Sequence, residues 1–150
     1  MEIKKKAKRR ASAKFEIKNL ALASFAISFV ECTLILLHIL PPILSYSPAN
    51  MAAAVAYFAV LALGGYESKH SGLLRAAEAG ALIAIGRVSV IVAAAIIGSQ
   101  MQTIVIGMQI PDQMPLFALY LVILAENVAV GAAVSVLFAL IGAFLKKKLG

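Results

Sequence analysis

The 150-residue chain has no tryptophan and a single cysteine, Cys32. One cysteine excludes an internal disulfide framework and any multi-cysteine metal site. Charge is scarce as well: 14% of the residues are Asp, Glu, Lys or Arg, against about a quarter in soluble domains. Two stretches, 41–50 and 99–114, contain no Lys or Arg. Paired-carboxylate, nucleophile–base, Walker and dinucleotide signatures are all missing, so the chain reads as a non-enzyme with no cofactor and no metal. What is abundant is apolar: 62% of residues are hydrophobic, with a mean hydropathy of +0.94. A soluble domain of this length exposes too much surface to hide that many apolar side chains. The solvent for most of the chain is therefore expected to be lipid.

A bilayer core of about 30 Å takes about 20 apolar residues of helix. Four segments qualify or nearly do: 20–40, closed by Pro41-Pro42; 49–63, opened by Ser47-Pro48 and closed by Gly64-Gly65; 76–98; and 116–145. Ser47 is placed to cap the second span and Pro48 to occupy its first helical position. That span, about 16 residues, is short. The fourth, at about 45 Å, must tilt, bend or protrude. Eight basic residues precede the first span, Lys69 and Arg75 lie between the second and third, and Lys146, Lys147 and Lys148 follow the fourth. The positive-inside rule then puts both termini and the middle connection in the cytoplasm. The expected fold is an all-α, polytopic integral membrane protein of four transmembrane helices. Its organisation is a basic segment 1–19, a four-helix domain 20–145 and a basic tail 146–150, in the cell membrane.

Only one of the 14 Lys and Arg residues is left inside a span: Arg87, in "ALIAIGRVSV". A charge at the bilayer centre costs roughly 2.5–3.5 kcal/mol on insertion scales, so a partner is expected. In the first span Glu31 lies near the midpoint, with Ser24, Ser28 and His38 on its face at helical spacing. In the fourth, Glu126 is the only charge between Pro115 and Lys146, with Ala129 and Ala133 on its face. Gly80, Ala84 and Ala94 share the face of Arg87. Small residues let helices approach closely. Counting from the span edges puts Glu31, Arg87 and Glu126 at similar depth, which predicts an intramembrane polar cluster of Glu31, Arg87, Glu126 and His38. With both acids ionised one negative charge would be uncompensated, so either an acid or His38 would hold a proton. Such a cluster is either a proton or ion relay, an assembly device that fixes which helix meets which, or one half of a pairing with another subunit.

The charge of +7 is explained by the flanking runs, so no nucleic-acid partner is expected. "KKKAKRR" offers Lys4, Lys5, Lys6, Lys8, Arg9 and Arg10 to anionic lipid headgroups or an acidic partner; its simplest role is to hold the N-terminus inside. The first apolar run is too long for a signal peptide and ends in Pro-Pro. Ile3, Ala7, Ala11 and Phe15 recur every four residues, so the segment can lie on the membrane as a short amphipathic helix. Glu78, three residues after Arg75, suits an i,i+3 pair. Met101, Met108 and Met114 in the 99–114 stretch are spaced too widely for a compact Cu(I) site and suit an interfacial or partner-contact segment. Ala52 and Ala56 form a small-xxx-small pair in the second span.

"YF" at Tyr57-Phe58, "LLR" ending in Arg75 and "AIGRVSVIV" around Arg87 give residues 57–93 a resemblance. The segment resembles the phosphate-starvation-inducible PsiE family of small four-span membrane proteins. The resemblance implies a membrane location and a stress link. It implies no mechanism, because the molecular activity of that family is unsettled. The sequence as a whole points to a non-catalytic accessory or regulatory subunit, in contact with other membrane subunits or with itself. The alternative is a small proton- or ion-coupled transporter acting as an oligomer.

Overall fold

The computed structural model describes residues 2–70, 72–107 and 115–149; the side chains of 2–16, 69, 116, 119 and 146–149 lie outside that description. Four helices dominate: α1 (Glu2–Leu36), α2 (Pro48–Glu67), α3 (Leu73–Gln100) and α4 (Leu116–Leu149). Short 3-10 turns, Ile43–Ser45 and Ser68–His70, follow α1 and α2. Each long helix contains a stretch long and apolar enough to cross a membrane: Ile17–Leu36, Pro48–Glu67, Leu73–Gln100 and Tyr120–Leu145. Their outward faces carry large apolar side chains, among them Phe29, Val55, Leu82, Ile96, Leu121 and Leu137. Water-soluble monomers rarely expose apolar surface on that scale, and four such helices suit a multi-pass membrane protein. The helices alternate in direction. The outer ends of α1 and α4, the α2–α3 connection and all basic residues but Arg87 gather at one end, here the basic end. The connection 37–47 and the described residues 101–107 form the neutral end.

α3 is the central helix, and small residues bring its neighbours close. A Cβ on Gly80 would strike the carbonyl of Gly131 on α4, and one on Gly65 of α2 would strike the backbone of Ser135. Two buried serines tie neighbouring helices: Ser24 Oγ donates to the Ile83 carbonyl at 3.0 Å, and Ser135 Oγ to the Leu61 carbonyl at 2.9 Å. Such contacts substitute for the hydrophobic drive that lipid cannot supply between helices. Near the neutral end Cys32, Ile35, Val90, Ile91, Ala94 and Val105 form an apolar cluster. There the two connections also pair, Ile43 N–H to Val105 O at 2.9 Å and Leu44 N–H to Ile106 O at 3.1 Å. Asn50 Nδ2 anchors the same corner on the carbonyls of Pro41 and Pro42.

Several helix ends differ from the sequence expectation, each for a physical reason. α1 stops at Leu36 instead of residue 40. His38 adopts the left-handed conformation (φ 57°), and the Ile39 and Leu40 N–H groups both return to the Leu34 carbonyl. The following prolines supply no N–H and disfavour helix at the residue before them. α2 runs four residues past 63 because Gly64 and Gly65 are packing contacts, not a terminus. Its 20 residues give about 30 Å, so the span is not short. Its start follows the expected chemistry: Ser47 Oγ accepts from Asn50 N–H at 3.2 Å, with Pro48 at the first position. The basic segment is continuous with the first span, as one 35-residue helix.

Candidate functional site

Three helices meet around Arg87. α3 places it one turn beyond Ile83 and Ala84, both fully buried. α1 is registered against α3 by the Ser24–Ile83 bond. Seven residues on, about two turns, that registry brings Glu31 to Arg87. Glu31 Oε2 lies 3.4 Å from Arg87 Nη2, and the two side chains are 2% and 8% exposed. α2 contributes Tyr57, whose ring centroid is 4.7 Å from Arg87 Cζ. A guanidinium over an aromatic face is attracted by the ring quadrupole, more strongly where water is excluded. The buried Ser28 hydroxyl lies one turn before Glu31 on α1.

This centre is charge-balanced but poorly hydrogen-bonded. Ser28 Oγ, both Glu31 oxygens, Tyr57 Oη and Arg87 Nη1 are buried without a hydrogen-bond partner. A charge-assisted N–H···O bond closes to about 2.7–2.9 Å, so 3.4 Å is an ion contact without the hydrogen bond. One carboxylate and one guanidinium cancel. The arrangement can hold three helices together electrostatically, and it keeps donors and acceptors that a proton-carrying species could use.

Glu126 does not join this centre. Gly131 of α4 meets Gly80 and Ala84 of α3, and the helices are antiparallel, so five residues outward Glu126 is level with Arg87. It is nevertheless exposed, because five residues at about 100° each turn it about 140° from the Gly131 contact. The expected Ala129/Ala133 contact face is also exposed, whereas Gly131, Ser135, Ala139 and Gly142 are buried. The uncompensated negative charge expected inside the cluster is therefore absent there. His38 does not join either. α1 ends before it, and it is exposed at the neutral end with Nε2 3.4 Å from Thr103 Oγ1. The early helix end also moves Glu31 off the midpoint, to five residues, or about 7.5 Å, from the last residue of α1.

Tyr57 is the residue that the cluster expectation missed. Its signal was a lone phenol in the Ala-rich "AAAVAYFAV", at a site where a hydroxyl in hydrocarbon has no water to meet. Arg75 and Glu78 do pair, at 3.1 Å, but both are well exposed, where such a contact contributes little. The side chains of Lys4, Lys5, Lys6, Lys8, Arg9 and Arg10 lie outside the described residues, as do Met108 and Met114. Among the described residues no group of three His, Cys, Asp or Glu is placed to hold a metal. No family model, no curated protein and no solved structure matches this chain.

Proposed function

We propose that this chain is a non-catalytic protein of the cell membrane that serves as an accessory or regulatory subunit of a larger membrane assembly. Both termini and the α2–α3 connection face the cytoplasm, because the basic end carries the Lys and Arg residues. The basic N-terminal segment meets anionic lipid headgroups there. The observation that carries the reading is Glu126, an exposed carboxyl group on an apolar helix, level with the buried Arg87. Ionisable groups within membrane spans normally face protein or water. This one faces neither within its own bundle, which supports a neighbour in the assembled state. A PsiE-like membership of residues 57–93 belongs to the same reading, and two of its residues, Tyr57 and Arg87, stack on each other.

Extraction of the full chain from its own membrane into native nanodiscs, followed by intact-mass measurement, tests this. The expected species contains the chain together with at least one other polypeptide. A lone monomer at every protein-to-lipid ratio overturns the reading.

The unpartnered atoms around Glu31 and Arg87 favour a second reading, in which an oligomer couples proton movement to this centre. Proton uptake by reconstituted vesicles under an imposed potential, abolished by Glu31→Gln, is the result that would prefer it over the subunit reading.

A further inference from the structure

We propose that the Glu126 face of α4 docks one transmembrane helix of a different protein, and that this helix carries an arginine or lysine at the level of Glu126. The proposal rests on the subunit reading and specifies the chemistry of the partner. Glu126, Ala129, Val130, Ala133 and Leu137 form one exposed stripe along α4. The stripe is acidic at one level and apolar below it. Its two alanines leave room for a helix backbone to come close. The lysines after Leu145 cannot serve Glu126: Lys146 is 20 residues away along the helix, about 30 Å.

Charge decides between a second copy and a different protein. Arg87 is the only Lys or Arg between 76 and 145, and there is none from 19 to 68. Arg87 is buried against Glu31. A second copy therefore has no free intramembrane cation to offer. A symmetric dimer on this stripe would set carboxyl against carboxyl, which is repulsive unless one holds a proton. A heterologous helix with a cation gives Glu126 a counter-charge where the low dielectric makes the pairing strong. It also explains why the acid stands on an outer face although Arg87 is at the same level inside. Within the bundle Arg87 already has its acid.

The test uses the full-length protein in vesicles of zwitterionic lipid and a synthetic Leu/Ala transmembrane peptide with one arginine at matched depth. Control peptides carry leucine or glutamate there. A cysteine at Ala129, in a Cys32→Ala background, and one cysteine at the matching level of every peptide report contact by disulfide capture, with an added copper–phenanthroline/oxygen oxidant taking up the two electrons. The wild-type carboxylate is expected to capture the arginine peptide at least ten times more than the leucine peptide. E126Q is expected to erase that preference, and E126R to transfer it to the glutamate peptide. The E126Q protein is expected to keep its fold, read by helical circular dichroism, because Glu126 is exposed and the amide is nearly isosteric. Equal capture of the arginine and leucine peptides overturns the proposal. So does capture that survives E126Q, or Glu126-dependent pairing of the protein with itself in preference to the arginine peptide. A nanodisc complex with a second polypeptide, combined with no arginine preference, sinks this inference and leaves the subunit reading standing. A lone monomer in nanodiscs sinks the reading itself.

Discussion

Arg87 and Arg75 each contact a glutamate, yet their removal has different consequences. Arg87→Ala strands Glu31, whose side chain is 2% exposed. Losing one member of a buried pair costs roughly 3–5 kcal/mol. Arg75 is 65% exposed, and losing an exposed pair costs about 0–1 kcal/mol. Unfolding in mixed micelles should therefore separate the two variants clearly, and equal midpoints would contradict the burial of Arg87. The double variant Arg87→Leu/Glu31→Leu should recover most of the loss, because the native contact lacks a short hydrogen bond and apolar replacements remove both desolvation penalties. At Tyr57 the ring, not the hydroxyl, faces Arg87, and the hydroxyl has no partner. Tyr57→Phe is expected to be neutral or stabilising. Tyr57→Ala should cost roughly 3 kcal/mol, the low end for aromatic truncation, since lipid removes the hydrophobic part of the gain. A Phe variant as damaged as the Ala variant would show that the hydroxyl matters. The sequence made Arg87 and Glu31 legible because a charge in hydrocarbon demands a counter-charge. It left Tyr57 illegible because a phenol is also an ordinary core residue.

The contacts of α4 with α2 and α3 are set at glycines by backbone proximity rather than by side-chain volume. Gly131 has Ala84 Cβ and the Gly80 carbonyl each 2.8 Å from where its own Cβ would stand. Gly131→Val would push α3 and α4 apart, and overpacking of this kind costs about 1–3 kcal/mol. Ala129→Leu, on the exposed side of the same helix, should leave stability unchanged. Matched thermal melts in one detergent decide this. Destabilisation by both variants would mean that Ala129 is covered within the bundle. The same contrast explains what the sequence concealed. Ser47-Pro48 is readable as a helix start because its chemistry is local. Gly64-Gly65 resembles a helix stop only until α4 is known to lie against it. Likewise the pattern at Ala129/Ala133 and the one at Gly131/Ser135/Ala139 are both small-residue repeats four apart. Only the second contains the glycine that lets two backbones touch.

At the scale of the whole molecule, four apolar helices and a strict segregation of charge were readable from composition and order alone. Which lateral face of α4 Glu126 occupies was not, because the rotation of that helix is set by the close Gly131 and Ser135 contacts with distant parts of the chain. Orientation is the property on which the depth of Glu31, Arg87 and Glu126 turns, and it can be tested directly. At the neutral end there is no Lys or Arg through 41–50 and 99–114, while Lys69 lies in the α2–α3 connection and Arg75 in the first turn of α3. Moving such cations across a membrane is opposed during insertion, so the neutral end should be the translocated one. Gln102 is exposed at that end, and Ser71 lies in the basic connection. With Cys32, itself 2% exposed, replaced by alanine, a cysteine at Gln102 should react with an impermeant thiol reagent added to intact cells. One at Ser71 should react only after the membrane is opened. The reverse pattern would put Glu126 and Glu31 nearer the cytoplasmic surface. The cation of any docking helix would then be sought on that side. Labelling of both positions in intact cells would mean that the helices do not alternate across the bilayer.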